Sequence, residues 1–253
     1  MSLRFCALAS GSRGNALLVE HDDTLIMVDC GLPLRSLRQR LSAAGRSLDD
    51  INALLITHEH GDHTNGIGPL RRQRELPVFT SAGTAGVVKR IERYERLRCG
   101  TEITIGSVKV EPFAVPHDAR EPCQFVFDAG SVRLGILTDT GFATPIVRRK
   151  LENCDALAIE FNHDRSMLEN GSYPEAVKDR VGSRFGHLNN EQAGGLLSEL
   201  VHPGLQWAVA LHISERNNSP ELVREAGARA TGNSGVEFIL AAQHEPTEWI
   251  EVD

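Results

Sequence analysis

The sequence has no long apolar run, no paired cysteines, no basic excess and no low-complexity stretch, and each absence removes a class of protein. No apolar run approaches the roughly 20 residues that span a bilayer, and Met1 to Arg13 lack the basic start and apolar core of a signal peptide. No membrane partner is therefore expected, and the cytoplasm is the default location. Five cysteines (Cys6, Cys30, Cys99, Cys123, Cys154) form no CxxC pair, and their odd number argues against a disulfide framework. They read as reduced, mostly buried thiols. A formal net charge of −7 argues against a generally basic nucleic-acid binder, although two bound divalent cations would offset about four of those charges locally. No linker interrupts the 253 residues, and 41% hydrophobic content is enough for one continuous core. Residues 1–253 are expected to form a single domain.

The chain is organised around Leu54-Leu55-Ile56-Thr57-His58-Glu59-His60-Gly61-Asp62-His63. An apolar β-branched run passes directly into three histidines and a carboxylate, the pattern of a buried strand delivering metal ligands from its C-terminal end. On a turn leaving a strand, His58 and His60 can clasp one cation, while Asp62 and His63, past the small Gly61, turn toward a second position. Neutral imidazoles and a carboxylate suit Zn²⁺, Mn²⁺ or Fe. Thr57 and Glu59 read as supporting residues and not as ligands.

Residues Arg4 to Ala9, Ala16 to Glu20 and Thr24 to Val28 read as a β-meander, broken by the Ser10-Gly11-Ser12-Arg13-Gly14-Asn15 turn. That turn leads into a strand and not a helix, so a tight turn is favoured over a phosphate cradle, and it can still border the site. Asp29-Cys30-Gly31 and Pro33 lead into an amphipathic helix from Leu34 to Ala44. Strand, acid, glycine, helix recurs at Leu134 to Gly141, with an echo of Ala53 to His58 at Ala156 to Phe161. The repetition predicts two β-rich halves packed on each other, each covered outside by helices. Further strands are expected at Pro77–Thr80, Glu102–Ile105, Val108–Val115 and Gln206–Leu211, with helices at Thr84–Tyr94, Pro174–Val181, Asn190–Val201 and Pro220–Arg229. A terminal β pair is expected from Val236–Leu240 and Glu248–Val252. His21, His202 and His244 read as surface residues.

Three more candidate ligands, His117, Asp139 and His212, each stop an apolar strand, and strand ends converge naturally on one edge of a layered sheet. Asp29, His58-x-His60-x-Asp62-His63, His117, Asp139 and His212 together resemble the five ordered motifs of the metallo-β-lactamase-fold hydrolases. The resemblance implies an α/β fold, an αββα four-layer sandwich with two divalent metal ions per chain. It places His58, His60 and His117 on metal one, Asp62, His63 and His212 on metal two, and Asp139 between them. Asp29 resembles the acid that orients the histidine loop without being a ligand. Ser10 to Asn15, Glu160-Phe161-Asn162-His163-Asp164, Gly186-His187-Leu188-Asn189-Asn190-Glu191-Gln192-Ala193 and Leu211 to Asn218 resemble the YycJ/WalJ branch of these enzymes, described as DNA exonucleases. Phe161 and Ile213 depart from the serine and leucine common there.

Two cations held close together lower the pKa of a shared water and clamp the oxygens of an in-line displacement, which suits a phosphodiester. His187 is the candidate donor to the phosphate, with a helix-start capping role as the alternative. His163 is the second candidate, for touching substrate or protonating the leaving oxygen. His187, His163 and the ligand Asp62 are thus the catalytic candidates, and Asn162, His163 and His187 the substrate-binding ones. Basic clusters at Arg71, Arg72 and Arg74, at Lys89, Arg90, Arg93, Arg96 and Arg98, and at Arg148, Arg149 and Lys150 could track a nucleic-acid backbone or simply be solvated helix faces. The favoured expectation is a metal-dependent phosphodiesterase acting on nucleic acid, DNA before RNA. The alternative is a small-molecule hydrolase of a cyclic phosphodiester, thioester or lactone. Only 73 positions separate Asp139 from His212, which argues against an inserted cap, and 41 follow His212, which argues against a helical substrate domain. No flavin domain fits, so no organic cofactor is expected.

Overall fold

A computed structural model describes residues 2–88 and 91–253. Lys89 and Arg90 of the second basic cluster lie outside the described residues. The chain begins as the expected antiparallel meander of β1 (Leu3–Ala9), β2 (Ala16–His21) and β3 (Thr24–Val28). Helix α1 (Leu34–Ala43), with Leu37 and Leu41 buried, carries the chain back so that β4 (Ala53–Leu55) lies parallel to β3. Short helices α2 (Gly61–Thr64) and α3 (Ile67–Gln73) lead to β5 (Val78–Thr80), and α4 (Ala82–Val87) precedes β6 (Glu95–Arg96). Both strands extend the parallel order.

The second half repeats the plan. Strands β7 (Ile103–Ile105), β8 (Val108–Ala114), β9 (Cys123–Asp128) and β10 (Arg133–Leu137) are antiparallel. Helix α5 (Pro145–Leu151) leads to β11 (Ala156–Glu160), parallel to β10. Helices α6 (Arg165–Asn170), α7 (Glu175–Val181) and α8 (Asn190–Leu200) precede β12 (Trp207–Leu211), and α9 (Pro220–Thr231) precedes β13 (Glu237–Leu240), both strands again parallel. Local chemistry starts these helices: Asn189 and Gln192 form a capping box on α8, while Thr144 and Ser219 cap α5 and α9 ahead of Pro145 and Pro220. Strand β14 (Ile250–Val252) returns to pair with β1.

The result is two seven-stranded sheets, ordered β14-β1-β2-β3-β4-β5-β6 and β13-β12-β11-β10-β9-β8-β7. Alternation along single strands builds the layers. In β1, Leu3 and Phe5 enter the core between the sheets, while Cys6 and Leu8 pack outward with Leu37 and Leu41 of α1. In β12, Val209 and Leu211 face inward and Ala208 and Ala210 face outward toward Leu196 and Leu197 of α8. Strands covered on both faces read as continuous apolar runs. This is the αββα sandwich.

Direction matters more than order for the site. Strands β1, β3, β4, β8, β10, β11 and β12 follow from the pairings as running one way within their sheets. Their C-terminal ends therefore gather along one edge of each sheet, the place where α/β folds bind ligands.

Several expectations need correction. The terminal strands do not pair: β13 joins β12 and β14 joins β1, in different sheets. The helix expected over Thr84–Tyr94 ends at Val87, because β-branched Val88 is extended (φ −76°, ψ 97°) and Glu95–Arg96 pairs with β5. Elements α2, α3, β6, β9 and α6 were not anticipated. His244 is exposed, but His21 and His202 are half-buried. All five cysteines are free, four of them buried and Cys99 exposed.

One contact between loops sets the spacing of the site edge. A Cβ on Gly31 would lie 1.6 Å from the carbonyl oxygen of Asp62 and 2.8 Å from the amide nitrogen of Asn15, so only glycine lets the three segments meet. Gly31→Ala should therefore cost about 3 kcal/mol or more in a urea titration. Gly195→Ala in α8, where an added methyl meets open space, should instead stabilise by about 0.5–1 kcal/mol.

Candidate metal centre

The seven predicted ligands come together as two groups, His58, His60 and His117 in one and Asp62, His63, Asp139 and His212 in the other. Within each group the candidate ligand atoms lie within 4.8 Å of one another. In the first, His58 Nε2 is 3.0 Å and His117 Nε2 3.2 Å from His60 Nδ1. Tetrahedral ligands about 2.0–2.1 Å from one cation stand roughly 3.3 Å apart, so the spacing fits a shared ion. In the second, His63 Nε2 is 3.4 Å from Asp62 Oδ2 and 3.2 Å from Asp139 Oδ2, and His212 Nδ1 is 3.3 Å from Asp139 Oδ2. Asp139 touches both groups, because its Oδ1 faces His117 Nε2 at 3.9 Å.

A ligating imidazole needs its other nitrogen held, and a partner faces that nitrogen in four of the five candidate histidines. His63 Nδ1 donates to Asp29 Oδ2 at 2.7 Å, and His117 Nδ1 donates to the Gly186 carbonyl at 3.1 Å. The Thr57 hydroxyl donates to Asp29 Oδ2 (2.9 Å), which leaves its oxygen to accept from His58 Nδ1 at 3.0 Å. His60 Nε2 faces Asp118 Oδ1 at 3.8 Å. Asp29 also accepts from the Thr57 amide at 2.9 Å, so its carboxylate ties together Thr57 and His63 of the histidine loop. Glu59 supports from outside, accepting from the Arg120 amide and the Thr84 hydroxyl.

Several working residues escaped the sequence reading. Asn15, in the glycine-rich turn, sends its amide to Asp62 Oδ2 (3.3 Å), and Ser10 Oγ accepts from the His212 amide (2.7 Å), so that turn does border the site. Asp118 was passed over beside its ligand neighbour. Glu160 is fully buried at the end of β11 and accepts from the Thr140 and Leu188 amides and from His187 Nδ1 (3.1 Å). Its signal was available: an apolar strand stopping at an acid, as at Asp29 and Asp139.

His187 and His163 part company. His187 lines the cavity over the ligands, with Nδ1 3.6 Å from Asp139 Oδ1. Burial opposes a charge on it, but Glu160, then Asp139 and Asp62, outweigh the burial and push its pKa up to about 9. His163 is buried, bonds Asn162 Oδ1, and lines a neighbouring cavity with Arg165, Lys178 and Gln192. Burial pulls its pKa down to about 4, so it is neutral at pH 7. Asn162 lines the ligand cavity and donates to the His212 carbonyl at 3.1 Å, so it holds that ligand's backbone.

Among the described residues, none of the basic clusters lines this cavity. Arg148 pairs with Glu199 and Lys150 with Glu111, while the cation lining the cavity is Arg180, held by Asp118 Oδ2 at 3.4 Å.

Residues 24–213 match the family model described as a beta-lactamase superfamily domain. The chain belongs to that superfamily. Among superfamily relatives, it is 32% identical over 241 residues to exodeoxyribonuclease YycJ of Bacillus anthracis, covering 93% of this chain and 91% of that one. It is 31% identical over 230 residues to exodeoxyribonuclease WalJ of Streptococcus pneumoniae, covering 88% and 86%. The metallo-β-lactamase fold protein YhfI from Bacillus subtilis superimposes with a TM-score of 0.75 at 16% identity, covering 98% of this chain and 99% of that one, and shares the fold. No helix among the described residues is long and apolar enough to cross a membrane.

The Asp29 carboxylate is the test of this construction. Asp29→Asn puts an amide hydrogen against donors already present on Thr57 and His63, in a buried site. In urea titrations of chelator-treated protein it should lower the unfolding free energy by about 1–3 kcal/mol.

Proposed function

We propose that this chain is a metal-dependent phosphodiesterase that acts on nucleic acid, as a DNA exonuclease, with residues 1–253 forming one domain. The observation that carries the reading is Asp139, whose two oxygens face one ligand group each while His187 stands 3.6 Å from one of them. The likeness to the exodeoxyribonucleases YycJ and WalJ favours DNA. His58, His60 and His117 would hold one divalent cation, Asp62, His63 and His212 the second, and Asp139 both. Zn²⁺ and Mn²⁺ suit this nitrogen and oxygen donor set, and Fe is compatible with it. When bound, the two cations would make water a nucleophile near neutral pH and neutralise charge on phosphoryl oxygens.

The protein's own groups supply the rest. His187 keeps Nδ1–H on Glu160 Oε2, which leaves Nε2–H as a donor toward an oxygen that gains charge as phosphorus is attacked. The buried Glu160 sustains the imidazolium, just as a carboxylate behind a catalytic histidine stabilises its charged form. Asn162 keeps His212 in register. His163, neutral and turned to the neighbouring cavity, takes no proton-transfer role in this scheme.

Two outcomes test the reading. Elemental analysis after gentle purification should approach two metal ions per chain, and Asp139→Ala should lose both together; a limit of one under saturating Mn²⁺ or Zn²⁺ would sink the dinuclear assignment. In an assay panel of end-labelled duplexes and single strands, bis-p-nitrophenyl phosphate, a cyclic phosphodiester and a thioester, the nucleic acids should be the best substrates. His187→Ala should lower kcat on them by about 100-fold or more with metal content unchanged. Preferred hydrolysis of the thioester would replace this reading with the small-molecule one.

A further inference from the structure

Above the ligands lies a cavity of about 240 Å³. Part of its lining is Asp62, Asp139 and His212; another part is Tyr173, Val177 and Arg180, from α7 and the segment that leads into it. The volume is below the roughly 300–1,000 Å³ typical of sites that enclose a whole small ligand. It suits one end of a longer molecule.

Tyr173 is the one tyrosine, tryptophan or phenylalanine among the described residues that line this cavity. It is half-buried, and the Arg216 guanidinium carbon sits 5.7 Å from its ring centroid. A cation over one face fixes the ring and leaves the other available for stacking. Among the described residues no carboxylate pairs with Arg216, whereas its neighbour Glu215 is engaged by Arg13 and His244. Exposed Val177 extends the apolar lining beside it, and Arg180 adds a charge beside the path of a phosphate backbone. Phe185 is more exposed, at 59%, but does not line the cavity.

We propose that Tyr173, braced by Arg216, is the platform on which the base next to the scissile phosphate stacks, so that the site selects a nucleotide with a free, unstacked base over a bare phosphodiester. The proposal rests on the nuclease reading and deepens it. A phosphate held at the ligand groups leaves the adjoining sugar and base to be received by the remaining lining of the same small cavity, and Tyr173 is the flat apolar surface there. Stacking uses the π-face that every base has, so the platform confers a preference for single-stranded or frayed ends without reading sequence.

The test is a cycle between enzyme and substrate. Two single-stranded oligonucleotides are compared, identical except that the nucleotide at the cleaved end is intact or abasic, with both polarities tried. On kcat/KM, wild type should lose roughly 5- to 100-fold when the base is removed. Tyr173→Ala should lose a similar factor on the intact end and show a much smaller further loss on the abasic one. Tyr173→Phe, which keeps the ring, should stay close to wild type. Equal losses for Tyr173→Ala on both oligonucleotides, or a Tyr173→Phe as poor as Tyr173→Ala, would overturn the proposal. The wild-type comparison needs no variant to fold: if wild type cleaves both ends equally well, the stacking role fails and the nuclease reading stands. If wild type cleaves neither yet hydrolyses the thioester, the nuclease reading fails and takes this proposal with it.

Discussion

At the site edge three strands end in a left-handed backbone turn at a residue other than glycine, and the site depends on all three. Asp29 after β3, Asp139 after β10 and His212 after β12 have φ of 61°, 50° and 51°. Such a conformation costs an L-residue about 1–2 kcal/mol, least for the short polar types found here. It swings the side chain off the strand axis, Asp29 toward the histidine loop that follows the neighbouring strand β4, and Asp139 and His212 toward side chains delivered by the opposite sheet. The surrounding contacts hold the turns in place. Asp29 donates its amide to the Leu55 carbonyl, the His212 amide donates to Ser10 Oγ, and the Thr138 hydroxyl donates to Asp139 Oδ2. Strain of this kind persists only where neighbours over-determine it.

The electrostatics follow from that convergence. Bringing Asp62, Asp139 and Asp118 to one edge concentrates negative charge in a small volume, and burial makes it costly. Histidines from both sheets temper the cost: burial alone would raise Asp139, but His212 and His63 hold it well below the usual carboxylate range. Glu160 and His187 form a second, separate balance behind the ligands. The bulk charge of −7 says little about what the site attracts, since the local field comes from these few groups and from any cation they hold.

What could be read from the sequence was whatever short spacing encodes. His58, His60, Asp62 and His63 lie within six residues, and His117, Asp139 and His212 each end an apolar run, so their convergence required only that strand ends share an edge. Asp29 also ends an apolar run, but its orienting role was implied only by the family resemblance. Partners set by folding at a distance were not. Nothing near Ile250 says that it pairs with Phe5, nearly the whole chain away, and nothing in Val236 to Leu240 says that it will not be its neighbour. Likewise Asp118 facing His60, and Arg180 at the cavity where no described residue of the three basic clusters lies, depend on how segments distant in sequence fold together. His163 shows the limit most sharply. It follows Asn162, which lines the ligand cavity, yet it lines the neighbouring one with Gln192 and Lys178.

The two halves also show what separates a scaffold acid from a candidate ligand when local sequence does not. Asp29 and Asp139 occupy equivalent turns, at the strand where each sheet changes from antiparallel to parallel pairing. A carboxylate offers about four acceptor positions. Asp29 spends three on the Thr57 amide, the Thr57 hydroxyl and His63 Nδ1. Glu160 likewise accepts from two amides and His187. Both are satisfied by the protein, so neither has reason to hold a cation. Asp139 accepts from one hydroxyl, and its other neighbours are ring nitrogens, those of the candidate ligands His63, His117 and His212 and that of His187. A buried carboxylate with so little internal hydrogen bonding is unfavourable unless something cationic completes it. The same turn therefore yields a support in the first half and, in the proposed reading, a bridge in the second, and the difference lies in which donors the neighbouring strand presents.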